Sequence, residues 1–360
     1  MKRLRLFSLH ASRFTLHVSM SQTLVQRFYE VAKQAAEKTA LRVEYDGRYH
    51  PLPWWFVKSK AKHFGIGLLE AGAAPGDYFY IFPSAHPAAI YAELGALTMG
   101  LQSLPLPADL PEADFARLAA QFPPSFIFLG ERDPAFLQNC LPKLDRLKRA
   151  VSVAEPTSEA LPLQSFRKIV NSGIRHEASH YSTYRSLREG SNETQILSPI
   201  RIDFQGRLEE NPLRFGDVNE AAANLSRAAA GIKIRRLFSD VDFSRSAYRI
   251  ACLYWPIILG VESALAQREG SLSTQLRLVK PEVACLSERR EQELETLLPV
   301  TPPPGFWNGL RHRWDKRRFR LHSGGRLHAL LYSGNLEEKF REKLAFLDIR
   351  SLSLPSPPPQ

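Results

Sequence analysis

Between residues 78 and 153, short apolar runs alternate with segments of helical periodicity, and this alternation restricts the chain to few folds. Each apolar run is about five residues long, a length typical of buried strands. The predicted strands are 78–82, 102–106, 125–129 and 149–153, and the helices predicted between them are 87–100, 111–121 and 134–144. Strands separated by helices predict a mostly parallel sheet with right-handed crossovers.

The segments on either side extend this pattern. A helix is predicted at 23–36, a hairpin at 41–52 around the turn Asp46-Gly47, and a helix at 53–71. Beyond residue 194 the predicted strands are 261–266, 283–286, 327–332 and 348–354, and the predicted helices are 217–230, 248–259, 288–298 and 337–345. We therefore expect an α/β fold with two mostly parallel sheets and flanking helices.

Changes in composition divide the chain into five parts. Residues 20–153 are predicted to form a first α/β lobe and residues 194–354 a second. The polar segment 154–193, with weak periodicity, is expected to connect them, and the proline tail 355–360 has nothing to fold. Residues 1–19 contain the repeat Leu-His-Ala-Ser and Leu-His-Val-Ser and no acid, which suits either a start at Met20 or a targeting signal.

Composition and charge exclude several classes of protein. Hydrophobic residues make up 44% of the chain and charged residues 24%, and no apolar run approaches the ~20 residues of a membrane-spanning helix. The net charge of +11 is concentrated at residues 1–19, which carry +4, and 311–320, which carry +5. We therefore expect no nucleic-acid partner, because such proteins carry a basic face over much of the fold. The three cysteines, Cys140, Cys252 and Cys285, predict reduced core residues of a cytoplasmic protein.

The basic segment 311–320 is interleaved with Trp314 and Phe319. This pattern suits binding to an anionic lipid surface or to RNA, and of the two we favour lipid, with the protein peripheral to a membrane. We favour over both a solvated basic loop whose apolar residues pack inward.

The stretch 205–216 lies where a strand–loop–helix protein would hold phosphate, between an apolar run and a helix start signalled by Asp217 and Glu220. A phosphate cradle needs glycines, hydroxyls and a lysine. This loop instead carries Glu209 and Glu210 and has no lysine, serine or threonine. The sequence predicts that it does not hold a triphosphate.

Residues 176–180 match the H-E-x-x-H zinc pattern through His176, Glu177 and His180. The chemistry requires a helix that places both imidazoles on one face. The neighbouring residues are poor helix formers, so a solvated loop is expected and no metal is assigned.

The order of segments resembles the N-terminal region of the AMP-forming acyl-CoA synthetases, the long-chain fatty acid–CoA ligases in particular. The features that carry the resemblance are the opening helix with Leu24 and Phe28, Gly72 to Asp77, the apolar helix 88–100, Leu104-Pro105-Leu106, Tyr254-Trp255-Pro256 and Leu330 to Gly334. They cover about residues 23–354. The resemblance implies ATP, magnesium and coenzyme A as the family's cofactors and substrates.

Set against the family phosphate loop S-G-T-T-G-x-P-K-G, the loop here is degenerate. Gly206 falls at the serine position, the step Asn211-Pro212 is kept, Arg214 falls near the lysine after a shift of one residue, and Gly216 follows. The family's Y-G-x-T-E segment and C-terminal lysine domain have no counterpart here, so the fold is expected to be truncated at its C-terminal side.

The resemblance and the altered loop together indicate a pseudoenzyme or remnant with no catalytic residue carried over and no bound cofactor. One alternative is a fatty acid–CoA ligase completed by a separate chain that supplies the C-terminal part. Another is a membrane-surface or scaffold protein that acts through residues 311–320.

Overall fold

The computed structural model describes residues 22–82, 86–130, 132–133, 135–140, 144–155, 162–203, 205–266, 270–298, 308–332 and 336–354. Its strands form two large, mostly parallel sheets and two short two-stranded ribbons. The expected α/β class with two such sheets is confirmed.

The first sheet contains five parallel strands in the order β4-β3-β5-β6-β7. They are β3 (Tyr78–Ile81), β4 (Gln102–Pro105), β5 (Pro124–Gly130), β6 (Arg149–Ser152) and β7 (Leu163–Ser165). The helices that precede or connect them are α2 (Trp54–Glu70), α3 (Ala88–Thr98), α4 (Glu112–Gln121) and α5 (Ala135–Cys140). Side chains alternate between the faces of β3: Tyr80 packs towards α4 and α5, and Phe79 towards α2 and α3.

The second sheet has seven strands in the order β16-β15-β14-β12-β13-β1-β2. They are β1 (Thr39–Tyr45), β2 (Arg48–Pro53), β12 (Arg236–Ser239), β13 (Glu262–Leu265), β14 (Val283–Cys285), β15 (Ala329–Tyr332) and β16 (Arg350–Ser353). Within the described part of this sheet, only β1 and β2 pair in antiparallel fashion, and the other pairs are parallel. Asp46 and Gly47, at φ values of 50° and 69°, form the tight turn that the sequence predicts between them.

Helices cover both faces of the second sheet. They are α1 (Leu24–Gln34), α8 (Phe215–Ala228), α9 (Ser246–Arg249), α10 (Trp255–Leu259), α11 (Leu272–Val279), α12 (Glu288–Leu297), α13 (Asn308–Ser323) and α14 (Glu338–Phe346), and a π-helical turn at Ile250–Tyr254 joins α9 to α10. Thr23 caps α1 by accepting a hydrogen bond from the amide of Gln26.

Segment 154–193 is not the plain connection that the sequence predicts. It contains β7, an edge strand of the first sheet, and two further helices, α6 (Phe166–Arg175) and α7 (Glu177–Gly190). Ile169 and Val170 of α6 are buried against the first sheet. Much of α7 is exposed. A helix with little buried surface needs few apolar residues, which explains why this segment is polar and shows weak periodicity.

The helices α2 and α3 form a layer between the two sheets. In α3, Ile90 and Leu94 belong to the core of the second sheet, whereas Ala92 and Ala96 belong to that of the first. A helix buried on all sides is apolar all round, which explains the almost continuous apolar run at 88–98. Within the described ranges, no helix combines the length and apolar character needed to cross a bilayer.

Candidate functional site

The candidate phosphate loop lies between two small ribbons and α8. Strand β8 (Ile196–Ser198) pairs with β11 (Leu213–Arg214), and β9 (Arg201–Ile202) pairs with β10 (Leu208–Glu209). The predicted residues are spread along this stretch. Gly206 lies between β9 and β10, Asn211 and Pro212 lie between β10 and β11, Arg214 lies in β11, and Gly216 is the second residue of α8. Gly206 has a φ of +83°, a conformation that favours glycine.

Asp203 closes the turn that contains Gly206. Its Oδ1 accepts hydrogen bonds from the backbone amides of Gln205 and Arg207, each at 2.8 Å, and its Oδ2 accepts one from Arg207 Nε at 2.6 Å. Burial alone raises the pKa of this carboxyl group, but these hydrogen bonds outweigh burial and lower the pKa. Two amides that a phosphate cradle would need are thus already bound to a carboxylate of the chain itself.

A second carboxylate occupies the N-terminus of α8. Asp217 Oδ2 accepts from the Arg214 amide at 3.0 Å and from Arg201 Nη2 at 2.7 Å. The predicted helix start at Asp217 is therefore wrong by two residues: α8 begins at Phe215, and Asp217 caps it from the third position. The Gly216 amide donates to the Glu193 carbonyl at 2.9 Å, so this donor is engaged too.

These residues do not fit a magnesium triphosphate. Positive charge is available from the exposed Arg207 and Arg214, but Asp203, Asp217 and Glu209 lie along the same short stretch. An anion approaching the helix N-terminus would meet Asp217 in the position where such ligands are usually bound.

The zinc pattern lies on a helix, so the predicted loop is wrong. His176 is the N-cap residue of α7, and Glu177 to His180 form its first turn. Glu177 is bound by Lys62 Nζ at 2.6 Å and His63 Nε2 at 2.9 Å, whereas His180 Nε2 lies 2.8 Å from Glu70 Oε2. These contacts with α2 compensate for the weak helix propensity, a signal that the local sequence does not carry. Among the described residues, no group of three or more His, Cys, Asp or Glu side chains could hold a metal ion.

A polar cluster lies at the carboxyl edge of the second sheet, where the sequence analysis had predicted no site. Asp240 follows β12 and accepts from the amide and the hydroxyl of Ser287, which follows β14, at 2.8 and 2.6 Å. Arg290 Nε lies 3.6 Å from Asp240 Oδ2. Burial raises the pKa of Asp240, and burial followed by the charges of Glu288 and Asp240 raises the pKa of Glu291 to about 7. Adjacent strand ends bring these groups together, as in many open α/β sheets.

A second polar cluster lies between the lobes. Glu93 of α3 accepts from the Tyr254 hydroxyl at 2.5 Å and from Arg249 Nη1 at 3.3 Å. It also lines a cavity of about 30 Å³ together with Phe82, Phe243 and Leu253. That volume admits about one water molecule. Glu93 is 3% exposed. In the sequence it is a single carboxylate within an almost wholly apolar helix, and this pattern could have identified it as a buried polar residue.

Comparison with known proteins identifies the fold. The chain superposes on an acyl-CoA synthetase from Brucella canis with a TM-score of 0.69 and 13% identity, over 92% of this chain. It superposes on the anthranilate CoA ligase AuaEII with a TM-score of 0.67 and 12% identity, over 93% of this chain. A fatty acid AMP ligase from Legionella pneumophila gives a TM-score of 0.65 and 12% identity, over 94% of this chain. The resemblance to acyl-CoA and fatty acid ligases is thus confirmed as a likeness of fold.

The chain spans 56%, 58% and 55% of the length of these three proteins. In sequence, 106 residues are 32% identical to tenellin synthetase of Beauveria bassiana (strain ARSEF 2860), a match that covers 29% of this chain and 2% of that protein. No family model matches the chain.

Proposed function

We propose that this chain, which has the fold of acyl-CoA and fatty acid ligases, is a ligase-like protein that does not form acyl-adenylates from ATP. The observation that supports this most directly is the hydrogen bonding of Asp203, whose carboxylate engages the Gln205 and Arg207 amides. A triphosphate would have to displace that carboxylate and then remain close to it.

Electrostatic energies favour the exclusion of a triphosphate from this loop. Two unit negative charges about 4 Å apart repel by roughly 4 kcal/mol at the effective dielectric near a protein surface. An arginine at that distance attracts a phosphate by a similar amount, but Arg207 is already paired with Asp203, so the pair offers a phosphate little net attraction. Asp217 adds a second negative charge at the helix N-terminus.

The direct test is calorimetry with ATP and magnesium, combined with a pyrophosphate-release assay on fatty acids. We expect no binding at micromolar ATP and no pyrophosphate. The double variant Asp203→Ser/Glu209→Thr removes two negative charges and frees two amides, so it is expected to gain weak nucleotide binding. The control Asp133→Ser/Glu338→Thr makes the same chemical change at a loop and at α14, and it is expected to gain none.

Micromolar binding by the unmodified chain that is lost in Arg207→Ala would contradict the proposal. The alternative of a ligase completed by another chain predicts a different result. In that case pyrophosphate release would appear when a protein carrying the Y-G-x-T-E segment and the lysine domain is added, with the loop unchanged.

A further inference from the structure

The basic segment predicted at 311–320 lies within α13, so the predicted loop is wrong. Phe319, 4% exposed, packs into the core beside α11 and α14, and Ser323 is buried one turn later. Lys316 forms an ion pair with Asp348, and His322 accepts from Ser273 Oγ through its carbonyl at 3.2 Å. These contacts fix which side of the helix faces the protein. The Arg311 side chain lies outside the described residues.

The opposite side of α13 presents apolar side chains outwards. Trp314 is 76% exposed and Leu321 68% exposed, the two most exposed large apolar side chains among the described residues. They are seven positions apart and therefore lie on one face of the helix. Trp314 points away from the core, contrary to the prediction that the apolar residues of this segment pack inward.

Arginines surround these two side chains. Arg317 and Arg318 lie between them on the same face, at the three- and four-residue spacings that bring helical side chains together. Arg313 and Arg320 are also exposed and border this face. None of the four forms an ion pair with another residue in the described part of the chain. The charge of this face is therefore not neutralised by those residues.

We propose that this face of α13 docks on an anionic lipid bilayer, with Trp314 and Leu321 entering the interface and the four arginines binding lipid phosphates. An interfacial helix combines apolar side chains on one face with basic residues that attract anionic lipids. Tryptophan prefers the level of the lipid headgroups.

Lipid fits this surface better than single-stranded nucleic acid does. Nucleic-acid sites of this kind use aromatic rings on which bases stack, within a positively charged groove. Here only one of the two exposed apolar residues is aromatic, and an exposed face of a single helix is convex. Leu321 gains from entering an apolar phase but offers no stacking surface.

The test is cosedimentation with phosphatidylcholine vesicles with and without phosphatidylserine, at low and high salt. We expect binding that requires phosphatidylserine and weakens with salt. Trp314→Ala is expected to weaken binding about tenfold, and Arg317→Gln/Arg318→Gln about fivefold for each charge removed. Quenching by brominated lipid should be observed for the unmodified chain and lost in Trp314→Ala.

Matched control variants test whether vesicle binding depends on this face of α13 and not on any exposed tryptophan or arginine. Trp55→Ala removes another exposed tryptophan, 45% exposed, and Arg117→Gln/Arg341→Gln removes two exposed charges on α4 and α14. These variants are expected to bind like the unmodified chain. Three results would overturn the proposal: equal binding to neutral vesicles, binding that survives Trp314→Ala and Leu321→Ala unchanged, or a preference for RNA over vesicles. Failure of vesicle binding leaves the nucleotide result unaffected, so the two proposals are tested separately.

Discussion

At the scale of single residues, Glu291 shows how burial and neighbouring charge act on one carboxyl group. Burial raises its pKa most, and the negative charges of Glu288 and Asp240 raise it further, to about 7. Burial also raises the pKa of Asp240. Two hydrogen bonds from Ser287 and the charge of the nearby Arg290 favour its charged form and so limit that rise. Burial thus raises the pKa of both carboxyl groups at this sheet edge, and the contacts of Asp240 oppose that rise.

The raised pKa of Glu291 predicts a pH-dependent stability. The folded pKa of about 7 exceeds the ordinary value of 4.5, so the unfolded chain loses this proton first as pH rises. The contribution of Glu291 to stability is complete below 4.5 and is lost as pH rises to about 7. Glu291→Gln should therefore gain about 1 kcal/mol relative to the unmodified chain between about pH 5 and pH 8, allowing for solvent screening.

Urea unfolding at the two pH values measures this effect. Glu342→Gln makes the same substitution at an exposed position on α14, away from this sheet edge, and is the control. A constant difference between Glu291→Gln and the unmodified chain across this range would show that Glu291 is ionised throughout.

At the scale of elements, the layer of helices between the sheets depends on glycines. A Cβ atom placed on Gly173 of α6 would lie 1.8 Å from the His63 carbonyl oxygen of α2, and one on Gly67 of α2 would lie 2.3 Å from the Ile169 carbonyl oxygen of α6. The two helices therefore approach to backbone contact. The same is true of α2 and α3, where a Cβ atom on Gly95 would lie 2.6 Å from the Ala61 carbonyl oxygen.

Gly173→Ala is predicted to destabilise the chain by about 3 kcal/mol, because α6 must move away from α2. The usual gain for alanine over glycine in a helix, about 1 kcal/mol, is smaller than this cost. Gly190→Ala, at the exposed end of α7 with no atom within 4 Å of the added Cβ, should be neutral or slightly stabilising. Denaturant midpoints of the two variants test this difference in stability. Equal midpoints would contradict the close packing of α6 against α2.

At the scale of the whole molecule, a buried polar bridge joins the two lobes. Glu93 lies on a helix between the sheets, and Arg249 and Tyr254 lie on the helical segment that packs against the second sheet. The side chains of Arg249 and Glu93 are 1% and 5% exposed. Within the described residues, Nε and Nη2 of Arg249 have no hydrogen-bond partner. A buried ion pair with unsatisfied donors adds little net stability.

Glu93→Gln is therefore predicted to cost about 3–5 kcal/mol, since it leaves the Arg249 charge uncompensated. Glu93→Leu/Arg249→Met, which removes both charges, should recover most of that loss. Urea unfolding measures the stability of the two variants. A double variant as unstable as Glu93→Gln would mean that the ion pair itself holds the lobes together.

Local patterns in the sequence predicted the α/β class, the order of most strands and helices, and the hairpin at Asp46-Gly47. These features depend on local periodicity and turn chemistry, which neighbouring residues express directly. The two glutamates of loop 205–216 and its lack of lysine, serine and threonine were also evident, because residue type is read directly from the sequence.

The remaining helices, polar clusters and exposed faces could not be predicted from local sequence. Helix α7 forms despite weak propensity because Lys62, His63 and Glu70 of α2 bind its first turn. The partners of Asp240 and Glu93 are 47 and 161 positions away in sequence, so no local pattern reveals them. Which side of α13 faces solvent was fixed by Phe319 entering a core that other helices build. In each case the deciding contact joins residues far apart in the chain, and periodicity carries no information about such contacts.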